Sequence, residues 1–167
     1  GRLFAYSPSS QTLSLLVEGL HFANGVAVSA DQQSVLVNET YRYRITRYWV
    51  DGPKKGQADI FADNLPGWPD GVSTAPNGDY WVALFAPRAA DIDQMHSDVA
   101  LKNLMAKLPQ WMIGEPEKYG LVVRLSPQGE IVESLHDQDG SRFYQVTSAE
   151  QVGDKLYLGT LNAPKAA

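Results

Sequence analysis

A short pattern recurs in the chain and limits what it can fold into. Asn24-Gly25-Val26-Ala27-Val28-Ser29-Ala30-Asp31 is echoed 46 residues on, counting from 24 to 70, by Asp70-Gly71-Val72-Ser73-Thr74-Ala75-Pro76-Asn77. Each copy leads through a turn into an apolar strand, Val35-Leu36-Val37 or Tyr80-Trp81-Val82-Ala83. A third copy reads as Gln145-Val146-Thr147-Ser148, followed by Leu156-Tyr157-Leu158-Gly159. The rest of the chain is similar: short runs rich in Val, Ile, Tyr and Trp, punctuated by Gly, Pro, Asn and Asp. Such residues favour strands and such punctuation favours turns. Closely spaced strands without helices between them predict an antiparallel all-β fold. A period of roughly 40–50 residues with four strands per unit is the pattern of a β-propeller.

The strands sort into blades. Residues 1–20 supply two, 21–65 four, 70–135 four and 145–160 two, which makes twelve strands, or about three of six blades. Three blades cannot close a ring, and an open propeller exposes sheet faces and edges. The first two strands read as the outer half of a blade and the last two as the inner half. A head-to-tail homodimer would complete a six-bladed ring; so would a longer chain of which this is the C-terminal half. The third repeat arrives about 30 residues late, which predicts an insertion over residues 87–119. Within it Leu101, Leu104, Met105 and Leu108 fall at helical spacing, Pro109 stops the helix, and Trp111, Met112 and Ile113 continue the apolar surface;. This helical insertion serves either as cover for a sheet or as a lid lining a pocket.

Composition narrows the function classes. With 167 residues, 44% hydrophobic and 20% charged, the chain suits one folded domain over 1–167 and not a disordered one;. Its net charge of −5 argues against a nucleic-acid partner;. No apolar run is long enough for a transmembrane helix. The absence of Cys excludes disulfides, thiolate metal sites and Cys nucleophiles;. The chain opens at Gly1 directly in a strand, with neither initiator Met nor signal peptide, so its true start is expected upstream or removed;. Compartment is left open.

Asn24 and Asp70 are the residues most suited to chemistry. Each stands just before Gly-Val at the start of an innermost strand, and in a propeller such positions converge on the central channel. A carboxylate and a carboxamide oxygen brought together suit a hard cation such as calcium, which takes six to eight oxygens. The competing reading is that Asn and Asp only make turns before strands. Of the three histidines, His21 and His96 are candidate bases for activating a water, although His21 also fits a packed blade connection and His96 a solvated approach to the helix. His136 reads as a turn residue, and the alternating Asp137 and Asp139 lack a full calcium-loop pattern. Glu39 could face the channel or the solvent. The pairs Tyr48-Trp49 and Tyr80-Trp81 are expected to pack between blades.

Several segments together resemble the strictosidine synthase-like proteins. They are Phe22 to Asp31, Arg44-Ile45-Thr46-Arg47-Tyr48-Trp49 and Asp63-Asn64-Leu65-Pro66-Gly67-Trp68-Pro69-Asp70-Gly71. Leu108-Pro109, Tyr119-Gly120-Leu121-Val122 and Leu156 to Leu161 extend the likeness over nearly the whole chain. That group is similar to the paraoxonases and the gluconolactonase/regucalcin proteins, six-bladed propellers that include calcium-dependent lactonases and arylesterases. The resemblance implies that Asn24 and Asp70 are ligands of a central calcium, with further ligands from an N-terminal half not present here. It places the Glu of the amine–aldehyde condensing enzymes near Thr147, three residues from Glu150. A Thr cannot exchange the proton a carboxylate would, so that condensation is not expected. Two functions follow as expectations. One is a calcium-dependent hydrolase of small lactone or ester substrates, with His21 as base. The other is a non-catalytic binding or interaction module that keeps the fold without a complete active site.

Overall fold

A computed structural model describes residues 1–89 and 118–162. Its strands form four antiparallel sheets in chain order. The first holds β1 (Arg2–Ser7) and β2 (Thr12–Glu18). The second holds β3 (Ala23–Val28), β4 (Ser34–Glu39), β5 (Arg44–Trp49) and β6 (Ala58–Ala62). In the third are β7 (Gly67–Thr74), β8 (Tyr80–Pro87), β9 (Gly120–Leu125) and β10 (Ile131–Asp137), and in the fourth β11 (Val146–Val152) and β12 (Lys155–Thr160). Every strand pairs with its sequence neighbour within its sheet, the meander of a propeller blade;. The two-four-four-two arrangement of strands is the one the sequence predicts. Among the described residues the only helical turn is the 3-10 segment Thr40–Arg42.

Side-chain alternation explains why the sheets stack. On β8, Tyr80, Val82 and Leu84 enter a core shared with Leu36, Ile45 and Phe61 of the second sheet. Their neighbours Trp81 and Ala83 point the other way, into a core with Val146 and Ala149 of the fourth sheet. A third core, around Leu3, Leu20 and Val37, joins the first sheet to the second. A period of two thus divides each central strand between two inter-blade cores. The strands buried on both faces read as continuous apolar runs, such as Tyr80-Trp81-Val82-Ala83-Leu84.

Four details correct the sequence reading. β7 starts at Gly67, not at Gly71, because Gly67 and Pro69 find partners in Pro87 and Leu84 despite an irregular register. Proline is tolerated where the ladder is interrupted. His136 lies within β10, not in a turn; its Nδ1 is 2.8 Å from the Tyr119 hydroxyl. Of the aromatic pairs, Tyr80 and Trp81 do pack between blades, and the Trp81 indole donates to Gln151 Oε1 at 2.9 Å. Tyr48 packs against the third core, between the first and second sheets, but Trp49 stays with its own blade, donating to Asp59 at 3.0 Å beneath the Arg47 guanidinium. Finally, Glu39 faces neither channel nor solvent: it is 0% exposed. Residues 90–117, which carry the expected helical insertion and His96, lie outside the described residues.

Candidate functional site

The inner strands β3, β7 and β11 lie side by side, and each breaks register with its partner strand, β3 and β11 once and β7 also between Gly67 and Pro69. On β3 the irregularity falls between Ala23 and Val26, on β7 between Pro69 and Val72, and on β11 between Val146 and Ser148. Such a bulge takes residues out of the ladder and re-aims their side chains. The residues so freed are Asn24-Gly25, Asp70-Gly71 and Thr147, with Ser148 back in the ladder opposite Gly159. Structural equivalence therefore runs Asn24, Asp70, Thr147, two residues later in the third copy than the sequence alignment suggests.

Close packing brings the first two together. A methyl group on Gly25 would sit 2.7 Å from the Val72 nitrogen and 2.8 Å from Gly71 Cα, so β3 and β7 touch backbone to backbone at the bulge. Gly71 approaches the Thr147–Ser148 peptide of β11 in the same way. The Asn24 carboxamide consequently faces the Asp70 carboxylate. Asp70 is half-buried, and burial pushes its carboxyl above the ordinary value of 3.8, with only the Asn24 hydrogen bond opposing the rise. Among the described residues no cationic side chain pairs with it.

The remaining candidates are more dispersed. His21 is exposed three residues before Asn24; its backbone N–H donates to Glu39 Oε2 at 2.8 Å, and its ring makes no hydrogen bond among the described residues. Thr147 Oγ1 donates to Gly159 O at 3.2 Å, so the third bulge carries a hydroxyl and not a carboxylate, and Glu150 is exposed. Asp137 caps the backbone N–H groups of Arg142 and Phe143, and Asp139 that of Ser141; these two carboxylates organise a loop.

The residues that hold the Asn24–Asp70 stretch in place are not evident from the sequence. Asn38 Nδ2 donates to Asp70 O at 2.8 Å, and Thr40 Oγ1 donates to Pro69 O at 2.7 Å while accepting from Asn24 Nδ2 at 3.3 Å. Between them Glu39 accepts from Arg44 Nε at 2.6 Å, Thr46 Oγ1 at 2.7 Å and His21 N. Only the run Asn38-Glu39-Thr40, three polar residues closing an apolar strand, hints at this in the sequence.

The donor chemistry at the Asn24–Asp70 pair is that of a hard-cation site. Both supply oxygens, and a half-buried carboxylate without a cationic neighbour is what a bound cation would compensate. The pair fits calcium in kind and supplies part of the six to eight oxygens it takes. Among the described residues no group of three or more His, Asp or Glu gathers to complete the set.

Fold and site together define an antiparallel β-propeller with paired amide and carboxylate groups at equivalent inner-strand bulges. Comparison with known proteins agrees. Residues 1–53 match the strictosidine synthase family model. Adipocyte plasma membrane-associated protein from Bos taurus is 36% identical over 98% of this chain and 41% of its own length. Protein STRICTOSIDINE SYNTHASE-LIKE 10 from Arabidopsis thaliana is 33% identical over 98% of this chain and 45% of its own. The chain belongs to the strictosidine synthase-like family, and it spans less than half the length of these curated relatives. Two solved structures share its fold. A luciferin-regenerating enzyme covers 94% of this chain and 43% of its own, with TM-score 0.62 and 18% identity. The calcium-binding protein regucalcin from Agrobacterium tumefaciens covers 98% and 45%, with TM-score 0.60 and 15% identity. A gluconolactonase from Xanthomonas campestris is also similar, at TM-score 0.56 and 16% identity over 88% of this chain and 36% of its own. Among the described residues no helix is long and apolar enough to cross a membrane.

Proposed function

We propose that this chain carries part of the active site of a calcium-dependent hydrolase acting on small lactone or ester substrates. Asn24 and Asp70 are its metal ligands and His21 its base. The observation that carries the reading is the pairing, at equivalent bulges, of a carboxamide with a half-buried carboxylate that has no cationic partner among the described residues. The names of the gluconolactonase and the calcium-binding regucalcin with the same fold support it. When bound, calcium would act as a Lewis acid on a substrate carbonyl. The chain's own part is to hold the Asn24 carboxamide beside the Asp70 carboxylate and to offer the exposed His21 imidazole as a proton acceptor for water;.

A second reading, a binding module without catalysis, is favoured by one observation: the third bulge carries Thr147 where another ligand could stand. The two separate in one assay. With phenyl acetate and simple lactones, hydrolysis is expected to rise with calcium and to vanish with a chelator. Hydrolysis that survives both chelator and Asp70→Asn would overturn the metal-dependent reading.

Asp70→Asn carries its own stability prediction. Because burial raises the folded-state carboxyl above 3.8, its ionised form is disfavoured in the fold at neutral pH;. Removing that charge is expected to leave the melting temperature in chelator equal to wild type or higher. The same variant is expected to lose the calcium-induced rise of wild type, since only a ligand bound to the native state raises the melting temperature. Thermal scans with and without calcium read both effects.

Ring closure is part of the proposal. Among the described residues β1–β2 has no inner pair of strands and β11–β12 no outer pair. β1–β2 also exposes Phe4, Tyr6, Leu13 and Leu15. A second copy related by a two-fold axis would supply both missing pairs and double the axial oxygens. Light scattering is expected to give twice 18.4 kDa. A monomer would assign completion of the ring to further sequence, as in relatives more than twice as long.

A further inference from the structure

We propose that Asn38 and Thr40 are positioning residues, forming an inter-blade clamp that grips the Asp70 peptide and sets where Asn24 and Asp70 present their oxygens. The inference rests on the metal reading for its function, but its geometry is independent of it. Asn38 and Thr40 belong to the second sheet, and the groups they hold belong to the third. Asn38 Nδ2 donates to the Asp70 carbonyl at 2.8 Å, and Thr40 Oγ1 donates to the preceding carbonyl, of Pro69, at 2.7 Å. Both side chains are buried, Asn38 completely and Thr40 to 5% exposure. Thr40 does two things at once, since its oxygen also accepts from Asn24 Nδ2 at 3.3 Å. One hydroxyl therefore ties the Asn24 side chain to the backbone that carries Asp70.

The clamp meets a need that the bulge creates. Register breaks between Pro69 and Val72, so this stretch of β7 is not tied to β8 as a regular ladder would tie it. Its carbonyls take their partners from the neighbouring blade instead. Asn38 also accepts a cost in making its bond, because its Oδ1 is buried with no hydrogen-bond partner among the described residues. Buried polar atoms are rarely left so, and each unpaired one costs stability. A leucine at 38, with the same branching, would remove that cost. What the amide supplies in exchange is the bond to Asp70 O.

The test uses three variants and two readouts. Thr40→Val keeps the shape and loses the hydroxyl, Thr40→Ser keeps the hydroxyl, and Asn38→Leu removes donor and orphan oxygen together. Calorimetric titration with calcium chloride is the first readout. Weakening of about tenfold or more is expected for Thr40→Val and Asn38→Leu, with Thr40→Ser within about threefold of wild type. Hydrogen exchange without metal is the second. Faster exchange is expected over residues 67–74 in Thr40→Val and Asn38→Leu, with β9 and β10 unchanged and Thr40→Ser like wild type. If the three variants bind calcium as wild type does, or if residues 67–74 exchange no faster, the clamp is overturned. If wild type binds no calcium while exchange quickens as expected, the metal reading fails and the clamp stands. A variant that exchanges faster throughout has lost its fold, and the remaining variants, read against Thr40→Ser, then decide the matter.

Discussion

Glu39→Ala is expected to destabilise the fold by about 3–5 kcal/mol, the range for removing one partner of a buried ion pair. For a chain of this length that corresponds to a fall in melting temperature of roughly 10 °C. The carboxylate is 0% exposed and satisfies three donors at once: the Arg44 side chain, the Thr46 hydroxyl and the His21 backbone N–H. Alanine would leave all three without an acceptor and Arg44, itself 22% exposed, without its counter-charge. Glu39→Gln keeps the volume but turns an amide NH2 toward one of the donors, so a smaller loss is expected. Burial alone would raise the Glu39 carboxyl, but the Arg44, His21 and Thr46 bonds outweigh it and hold it below the ordinary 4.5. An acid whose folded-state value is depressed contributes stability above its unfolded-state value, and that contribution is lost as pH falls through the folded one. Wild type should therefore lose stability on acidification below about pH 4.5, and Glu39→Ala should lose less over the same window. Urea denaturation at a series of pH values measures both slopes; parallel curves for wild type and variant would refute the assignment.

Glu39 also shows where the sequence stops being informative. Strands are legible because alternation and turn residues are local: Ser34-Val35-Leu36-Val37-Asn38 reads as a strand whatever lies beside it. The repeat made Asn24 and Asp70 legible too, because equal places in a blade repeat the same local pattern. The clamp and the buried carboxylate are different. Asn38 meets Asp70 across 32 residues and Thr40 meets Pro69 across 29, and no local pattern encodes such a partner. Glu39 closes a strand whose alternation would let it face either way, and only its three donors, two on β5 and one at His21, decide its burial. The start of β7 was hidden for a related reason. Gly67, Pro69 and Gly71 are turn formers by local preference, and pairing with β8 overrides that preference;. The place of Thr147 was hidden too, because the third bulge leaves one residue unpaired where the first two leave two, and nothing in composition marks that difference;.

Gly25→Ala is expected to cost about 1–3 kcal/mol or more, the range for overpacking a tight interior. Its effect on the site should exceed its effect on the fold. The position is not one that only glycine can adopt, since Gly25 is absent from the residues with left-handed backbone. The loss would be steric throughout. A new methyl would meet the Val72 nitrogen at 2.7 Å, Gly71 Cα at 2.8 Å and, closer still, the Asp70 carbonyl oxygen. All three are backbone, so no flexible side chain can swing aside, and relief requires β3 and β7 to part. Those are the strands that hold Asn24 against Asp70, and the carbonyl that the methyl strikes is the one Asn38 grips. The third equivalent makes a natural contrast. Ser148 is exposed, with no following inner strand against it among the described residues, and it carries a side chain where Gly25 and Gly71 have none. Gly25→Ala should thus abolish the calcium-induced rise in melting temperature even where the variant remains folded by circular dichroism. Ser148→Gly should leave that rise intact. A Gly25→Ala protein that keeps both its stability and its calcium response would mean that the two inner strands are not in backbone contact at the bulge. The geometry that joins Asn24 to Asp70 would fail with it.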